Sequence, residues 1–223
     1  IEQLQAYEVN TLGPKNLAMA CKKGSVRLVH ISTDFVFDGN NHSPYRPDDL
    51  TNPVSVYGKT KRDGEIEVQK ILGSQAVIIR TAWLYSAYGN NFVKTMLRLM
   101  AVNESLNIVA DQKGSPTWVA NLARLCWEIV QNKSFEGIHH YTDNGEATWY
   151  DFAVEIQKQA ISKGLLSSTV SKKTKISPIP SSEYPTPARR PSYSVLNTDS
   201  VNGLITPKPW QAQLSEMLDQ IEA

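Results

Sequence analysis

With 223 residues, 41% hydrophobic and 20% charged, the chain has the size and composition of an ordinary globular protein with one large or two small cores. A net charge of +1 argues against a nucleic-acid footprint, and no run nears the ~20 consecutive apolar residues of a membrane span. Cys21 and Cys126 stand far apart in helix-like apolar patterns, which excludes a disulfide scaffold or zinc module and predicts buried core thiols in a reducing cytoplasm.

The opening "IEQLQAYEVNTLG" has no initiator Met and no signal-like run, and it reads as the middle of a helix. The expectation is a C-terminal portion of a longer protein. Apolar residues over 3–22 fit helix, with Pro14 starting or interrupting it. "VRLVHIS" (26–32) reads as a buried strand of a parallel sheet, and the Gly-, Asn- and Pro-rich stretch 38–53 as loop. "SVYGKTKRDGEIEVQKIL" is a helix with a wet face, and "AVIIR" (76–80) a second buried strand. Then come a helix at "NNFVKTMLRLMAVN", a short strand and turn in "LNIVADQKGSPTW", an amphipathic helix at "VANLARLCWEIVQN" and a strand at "GIHHYTD". A helix capped by Thr148 follows, then a mostly irregular segment over 172–191 and a closing helix from Trp210.

Alternating strands and helices predict an α/β protein with a Rossmann-like, doubly wound parallel sheet. The β-α rhythm weakens after about Pro116. Residues 1–115 are therefore assigned to the sheet domain and 116–223 mainly to a smaller α/β lobe, with some interleaving of the chain.

In such a sheet, ligands bind beyond the carboxyl ends of the strands, where Ser32, Thr33 and Asp34 fall. On the next helix Tyr57 and Lys61 are four residues apart, hence on one face. An ammonium beside a phenol lowers the phenol's pKa, and a tyrosine so tuned can protonate a carbonyl oxygen as its carbon accepts hydride. Thr33 can hydrogen-bond the same oxygen. Alone, Tyr-x-x-x-Lys reads as an ordinary surface pair, and Ser32–Thr33 as a turn closure. The ordered blocks around them carry more weight.

Those blocks are "VNTLGPKNLA", "HISTDFVFDG", "NPVSVYGKTKRDGE", "IIRTAWLYSAYGNNFVKTML", "VADQKGSPTW" and "YPTPARRPSYSVLNT". Together they resemble, over nearly the whole chain, the extended short-chain dehydrogenase/reductases, and within them the branch acting on dTDP-4-keto-6-deoxysugars. The resemblance implies reduction of dTDP-4-dehydro-6-deoxy-L-mannose to dTDP-L-rhamnose, with NADPH or NADH as hydride donor, in polysaccharide biosynthesis. It implies Tyr57 as general acid, with Lys61 as its electrostatic partner and the holder of the nicotinamide ribose. Thr33 would polarise the C4 carbonyl; Thr33, Asp34 and Trp83 would border the deoxysugar. Ile31 would lie against the cofactor through its backbone. Trp83 is equally explicable as core packing after the "IIRTA" strand. A homodimer and Mg²⁺ are compatible with this reading, but no residue specifies them.

One departure is large. The Gly-rich phosphate loop of such enzymes has no counterpart here, for no G-x-G-x-x-G occurs in the chain. NADH and NADPH are therefore indistinguishable by sequence, and the first strands of the sheet are expected to lie outside these residues. Two alternatives remain: a sugar-nucleotide epimerase or dehydratase on the same scaffold, and a non-catalytic regulatory subunit of the same fold, as in the beta subunit of methionine adenosyltransferase.

Other features are weighed against plain readings. His139 and His140 are adjacent on a strand, point to opposite faces and do not share a metal ion; neither His30 nor His42 has ligand spacing, so no metal site is expected. Arg189 and Arg190 can reach a nucleotide diphosphate or equally stay solvated. "KKTK" from Lys172 reads as a wet surface run.

Overall fold

The structure is a computed structural model that describes residues 3–166, 174–186, 188 and 190–221. Its elements are α1 (Gln3–Tyr7), a π-helical turn (Glu8–Leu12), α2 (Gly13–Gly24), β1 (Leu28–Thr33), α3 (Val56–Leu72), β2 (Ala76–Thr81) and β3 (Leu84–Tyr85). They continue with α4 (Phe92–Val102), β4 (Ser105–Val109), β5 (Lys113–Gly114), β6 (Thr117–Trp118), α5 (Val119–Gln131) and β7 (Gly137–His140). The last are β8 (Ala147–Thr148), α6 (Trp149–Ser162), β9 (Lys175–Ile179) and α7 (Trp210–Leu218). Single 3₁₀ turns at Asp34–Val36, Gly73–Gln75, Ser181–Glu183 and Asp199–Val201 punctuate the connections. No helix among the described residues is long and apolar enough to cross a membrane.

The central sheet is parallel, in the order β1-β2-β7. All six residues of β2 are buried, as an apolar strand between two helical layers must be. Its side chains alternate. Ala76 and Ile78 pack with Ala18 of α2 and with Val68 and Leu72 of α3, whereas Val77 and Ile79 pack with Leu122, Leu125 and Ile129 of α5. This is the three-layer, doubly wound arrangement the sequence predicts.

Regular α-helix resumes with Gly13 and Pro14, as expected, after an interruption of π geometry. The proline sits in the first turn of α2, where its missing N–H costs no bond, and the preceding turn is the π-helical one. That turn docks on α3: Asn10 Nδ2 donates to Thr60 Oγ1 at 3.1 Å, and Thr11 Oγ1 to the Thr60 carbonyl at 2.8 Å.

A second core gathers Val93, Met96 and Met100 of α4 with Phe152 and Ile156 of α6 and Leu214 of α7. The chain thus leaves the sheet with α4 and β4, returns with α5 and β7, and leaves again with α6. A single cut near residue 115 does not separate the two cores, since the apolar faces of α4 and α5 bury in opposite lobes.

Two local expectations need correction. Within 172–191, residues Lys175–Ile179 form β9, parallel to β4, a strand the sequence reading did not place in this otherwise mostly irregular segment; of the "KKTK" run, Lys172 and Lys173 lie outside the described residues. Cys21 and Cys126 are free but only half-buried, because each falls at the border of its helix's apolar face.

A buried ion pair ties the layers together beneath the site. Arg80 at the end of β2 grips Glu65 of α3 with both arms, Nε to Oε1 at 3.0 Å and Nη2 to Oε2 at 2.9 Å. Its Nη1 donates to the Pro47 carbonyl at 3.1 Å, and its guanidinium lies over the Phe37 ring. The long loop 38–53 is thereby anchored to the sheet.

Candidate active site

The site forms where β1 and β2 end. Ser32 and Thr33 close β1, and the chain turns at once into Asp34–Val36. Thr33 caps that turn: its Oγ1 accepts from the Phe35 amide at 3.2 Å and donates to Asp34 Oδ1 at 3.0 Å. Asp34 is 2% exposed, and its Oδ2 has no hydrogen bond of good geometry. Burial pushes its carboxyl up to about 6, with the Ser194 and Thr33 hydroxyls working against the rise. Ser32 Oγ and Thr81 Oγ1, at the ends of adjacent strands, are also buried without partners. A cluster of unsatisfied polar atoms at a switch-point edge suits a polar ligand.

Helix α3 supplies the other half. Ser55 caps it by accepting from the Gly58 amide at 3.1 Å. Gly58 is what allows the approach: a Cβ there would lie 2.1 Å from the Phe35 carbonyl oxygen. The first turn of α3 therefore presses backbone to backbone on the Asp34–Val36 turn, and the Tyr57 and Phe35 rings meet edge to face at 5.6 Å. One turn on, Lys61 Nζ donates to the Ile31 carbonyl at 2.7 Å. Thr33, Asp34, Tyr57, Lys61 and the Ile31 backbone are thus brought together.

Electrostatics amend one expectation. The Tyr57 phenol is held above its ordinary value, chiefly by burial and further by the Asp34 charge, while the Thr33 side chain pulls it down. Burial lowers the Lys61 ammonium, with Glu65 opposing. The Lys61 ammonium is directed at the Ile31 carbonyl and is not among the groups that shift the phenol, whose residue is 45% exposed. A phenol kept neutral is the form that can give a proton. His30, on β1, is pushed down to about 4 by burial and by the Lys61 charge, so it stays neutral behind the site.

Trp83 follows β2 and is one of two non-glycine residues with positive φ among those described, at 47°. Its indole stacks on Trp149, centroids 3.6 Å apart and planes 9° from parallel. The two border a small pocket with Phe35, Gln112, Arg190 and Ser194. Alongside lies an apolar cavity of about 410 Å³, walled by residues including Phe92, Leu99, Ile108, Trp149 and Tyr184. A polar cavity of about 350 Å³ follows, bordered by Asp38, Asn40 and Ser192. Arg190 touches all three spaces. Arg189 lies outside the described residues.

Sequence reasoning missed Phe35, Gly58, Trp149 and Ser194. Gly58 had a local signal, as a glycine in a helix's first turn beside a candidate acid; the others meet the site only through tertiary packing. The histidine pair separates as predicted. His140 is buried with Nδ1 3.0 Å from the Tyr45 carbonyl, while His139 Nε2 lies 2.9 Å from the Glu136 carbonyl. Among the described residues, no group of three or more His, Cys, Asp or Glu could hold a metal ion.

Comparison with known proteins gives the site its context. The family model described as the RmlD substrate binding domain matches residues 1–223. The chain is similar to a dTDP-4-keto-6-deoxy-D-glucose reductase of Streptomyces niveus, 37% identical over 98% of this chain and 73% of that protein. It is also similar to the dTDP-4-dehydrorhamnose reductase of Escherichia coli K12, 36% identical over 97% and 73%. Among solved structures it is similar to a dTDP-4-dehydrorhamnose reductase of Clostridium acetobutylicum, with 39% identity, TM-score 0.91, and 100% of this chain and 75% of that one covered. Another, from Bacillus anthracis in complex with NADP, has 34% identity and TM-score 0.89 over 99% and 75%. The chain spans about three quarters of the length of these relatives.

Proposed function

We infer, for a chain that belongs to the RmlD substrate-binding-domain family, that it reduces dTDP-4-dehydrorhamnose to dTDP-L-rhamnose with NADPH or NADH. The observation that carries this reading is the convergence of Thr33, Tyr57 and Lys61 at the carboxyl ends of a parallel sheet.

The residues present fit the nicotinamide end of a dinucleotide. Lys61, braced on the Ile31 carbonyl, has donors left for ribose hydroxyls, and unpartnered Ser32 and Thr81 hydroxyls line the strand ends. The bound cofactor supplies a hydride to the sugar's C4. Tyr57 gives the proton that the C4 oxygen needs as it becomes a hydroxyl, and its neutral resting form keeps that proton available. Thr33 steadies the same oxygen. Its hydroxyl now donates to Asp34 Oδ1, so donation to substrate exchanges one acceptor for another. Asp34, with one oxygen unpartnered, can accept from a sugar hydroxyl. The apolar 410 Å³ cavity suits a nucleoside, and Arg190 at its border suits the diphosphate.

The test is stoichiometry. Full-length protein should consume one NADPH or NADH per 4-keto sugar nucleotide, with dTDP-L-rhamnose as product. An epimerase or dehydratase regenerates its cofactor, so turnover without net consumption would replace the proposal, and a stoichiometric protein partner with no turnover would favour the regulatory-subunit reading. The remaining elements of the proposal are a cytoplasmic setting, which suits two free cysteines, and a homodimer, checked by sedimentation.

A further inference from the structure

Trp83 holds a backbone conformation that tryptophan seldom adopts, since its Cβ crowds the following carbonyl at positive φ. Strain of this kind persists only where neighbours over-determine it. Three contacts do so here. The Trp83 carbonyl accepts from the Thr117 amide at 3.1 Å, which fixes the backbone as β3 begins. Trp149 covers one indole face at 3.6 Å. Gly114 leaves room at the indole edge: a Cβ there would lie 2.7 Å from Trp83 Cε2 and Nε1, and its three nearest neighbours would all be Trp83 atoms.

Core packing alone would not call for this. The indole is only half-buried, and a residue wanted merely as filler can be delivered from an unstrained backbone. What the strain secures is orientation, at a particular place. Trp83 shares its pocket with Phe35, which packs on Tyr57, and with Ser194, which acts on Asp34. Trp149 borders both that pocket and the larger apolar cavity. The paired indoles thus border the small pocket whose Phe35 packs on Tyr57, and Trp149 borders the nucleoside-sized space as well.

We propose that Gly114 and Trp149 are positioning residues that hold Trp83 in its left-handed conformation, so that its indole sets the sugar end of the substrate against Tyr57. The proposal rests on the reductase reading above. Neither residue performs chemistry; Gly114 acts through Trp83 alone, while Trp149 both covers Trp83 and walls the apolar cavity.

The decisive variant is Gly114→Ala, which removes nothing and adds one methyl against the indole edge. In the full-length protein it should change the far-ultraviolet exciton couplet of the stacked indoles and lower kcat by about 10- to 100-fold, the scale of a misplaced reacting group. The KM for the sugar nucleotide should change far less. Trp149→Ala should lower kcat to a similar extent and also raise KM, since Trp149 walls the apolar cavity, and Trp149→Phe should restore most of kcat while losing the couplet, because an aromatic ring still covers Trp83. That Ala/Phe contrast decides the matter if Gly114→Ala folds poorly. A changed couplet with wild-type kcat, or an effect confined to KM, would overturn the positioning role. So would a Trp149→Phe variant as impaired as Trp149→Ala. A wild-type protein inert toward the sugar nucleotide would instead refute the reductase reading.

Discussion

Replacing Gly58 by alanine sets two effects against each other, and the structure decides between them. Helix propensity alone favours alanine by about 1 kcal/mol in a helix. Against it, the new Cβ would lie 2.1 Å from the Phe35 carbonyl oxygen, 2.9 Å from the Phe35 carbonyl carbon and 3.1 Å from Pro53 Cβ. Ordinary contact begins at 3.4 Å, so α3 and the Asp34–Val36 turn must part by about 1.3 Å (3.4 − 2.1). The nearest obstacle is backbone, with no flexible side chain to yield. Overpacking of this kind costs about 1–3 kcal/mol, which outweighs the propensity gain. The larger consequence is kinetic. Tyr57 is the adjacent residue and moves with the helix, away from Thr33. A misplacement near 1 Å costs about 100-fold in rate, or about 2.7 kcal/mol of barrier. The assay is kcat at saturating sugar nucleotide together with the thermal midpoint. Gly203→Ala is the control, since a Cβ there meets nothing within 4 Å. Gly58→Ala with wild-type kcat and an unchanged or higher midpoint would refute the close approach as the reason for glycine.

Arg80→Met leaves Glu65 buried without its partner, since both side chains are nearly inaccessible; denaturant unfolding should show a loss of about 3–5 kcal/mol, and a loss below 1 would contradict the pairing. Asp34→Asn should stabilise the protein at neutral pH. Folding raises this carboxyl from 3.8 to about 6, which at 1.36 kcal/mol per pH unit costs on the order of 3 kcal/mol. The folded state keeps a proton that the unfolded chain releases, so wild-type stability from this group falls as pH rises from about 4 to 6. The gain in thermal midpoint over wild type should therefore be large at pH 7 and nearly absent at about pH 3.5; an equal gain at both would count against a buried carboxylate. Thr148→Ala removes the capping box with Asp151 and should cost about 1 kcal/mol.

Periodic patterns were readable wherever burial repeats along the chain. The all-buried β2 and the apolar face of α5 announced a parallel sheet between helices, and Thr148 stood where a cap belongs. Strand β9 was not legible because Pro178 and flanking polar residues hide its register, which pairing with β4 supplies. At the site, Tyr57 and Lys61 share a face by helical spacing, and Thr33 sits where a strand ends. The reason for Gly58 lies across a gap to Phe35, and that for Gly114 lies thirty-one residues away at Trp83 (114 − 83). No local period encodes such contacts. Likewise, spacing shows that Lys61 is near Tyr57 but not that its ammonium donates to the Ile31 carbonyl.

The most direct test of the central claim is single-turnover reduction by Tyr57→Phe, alongside wild type, with NADPH and the 4-keto sugar nucleotide both prebound. Loss of one hydroxyl should leave binding of both nearly intact and slow the chemical step by about 10²–10⁴-fold, the range attributed to a positioned proton donor. A variant that reduces the sugar at the wild-type rate would contradict the assignment of Tyr57 as the acid.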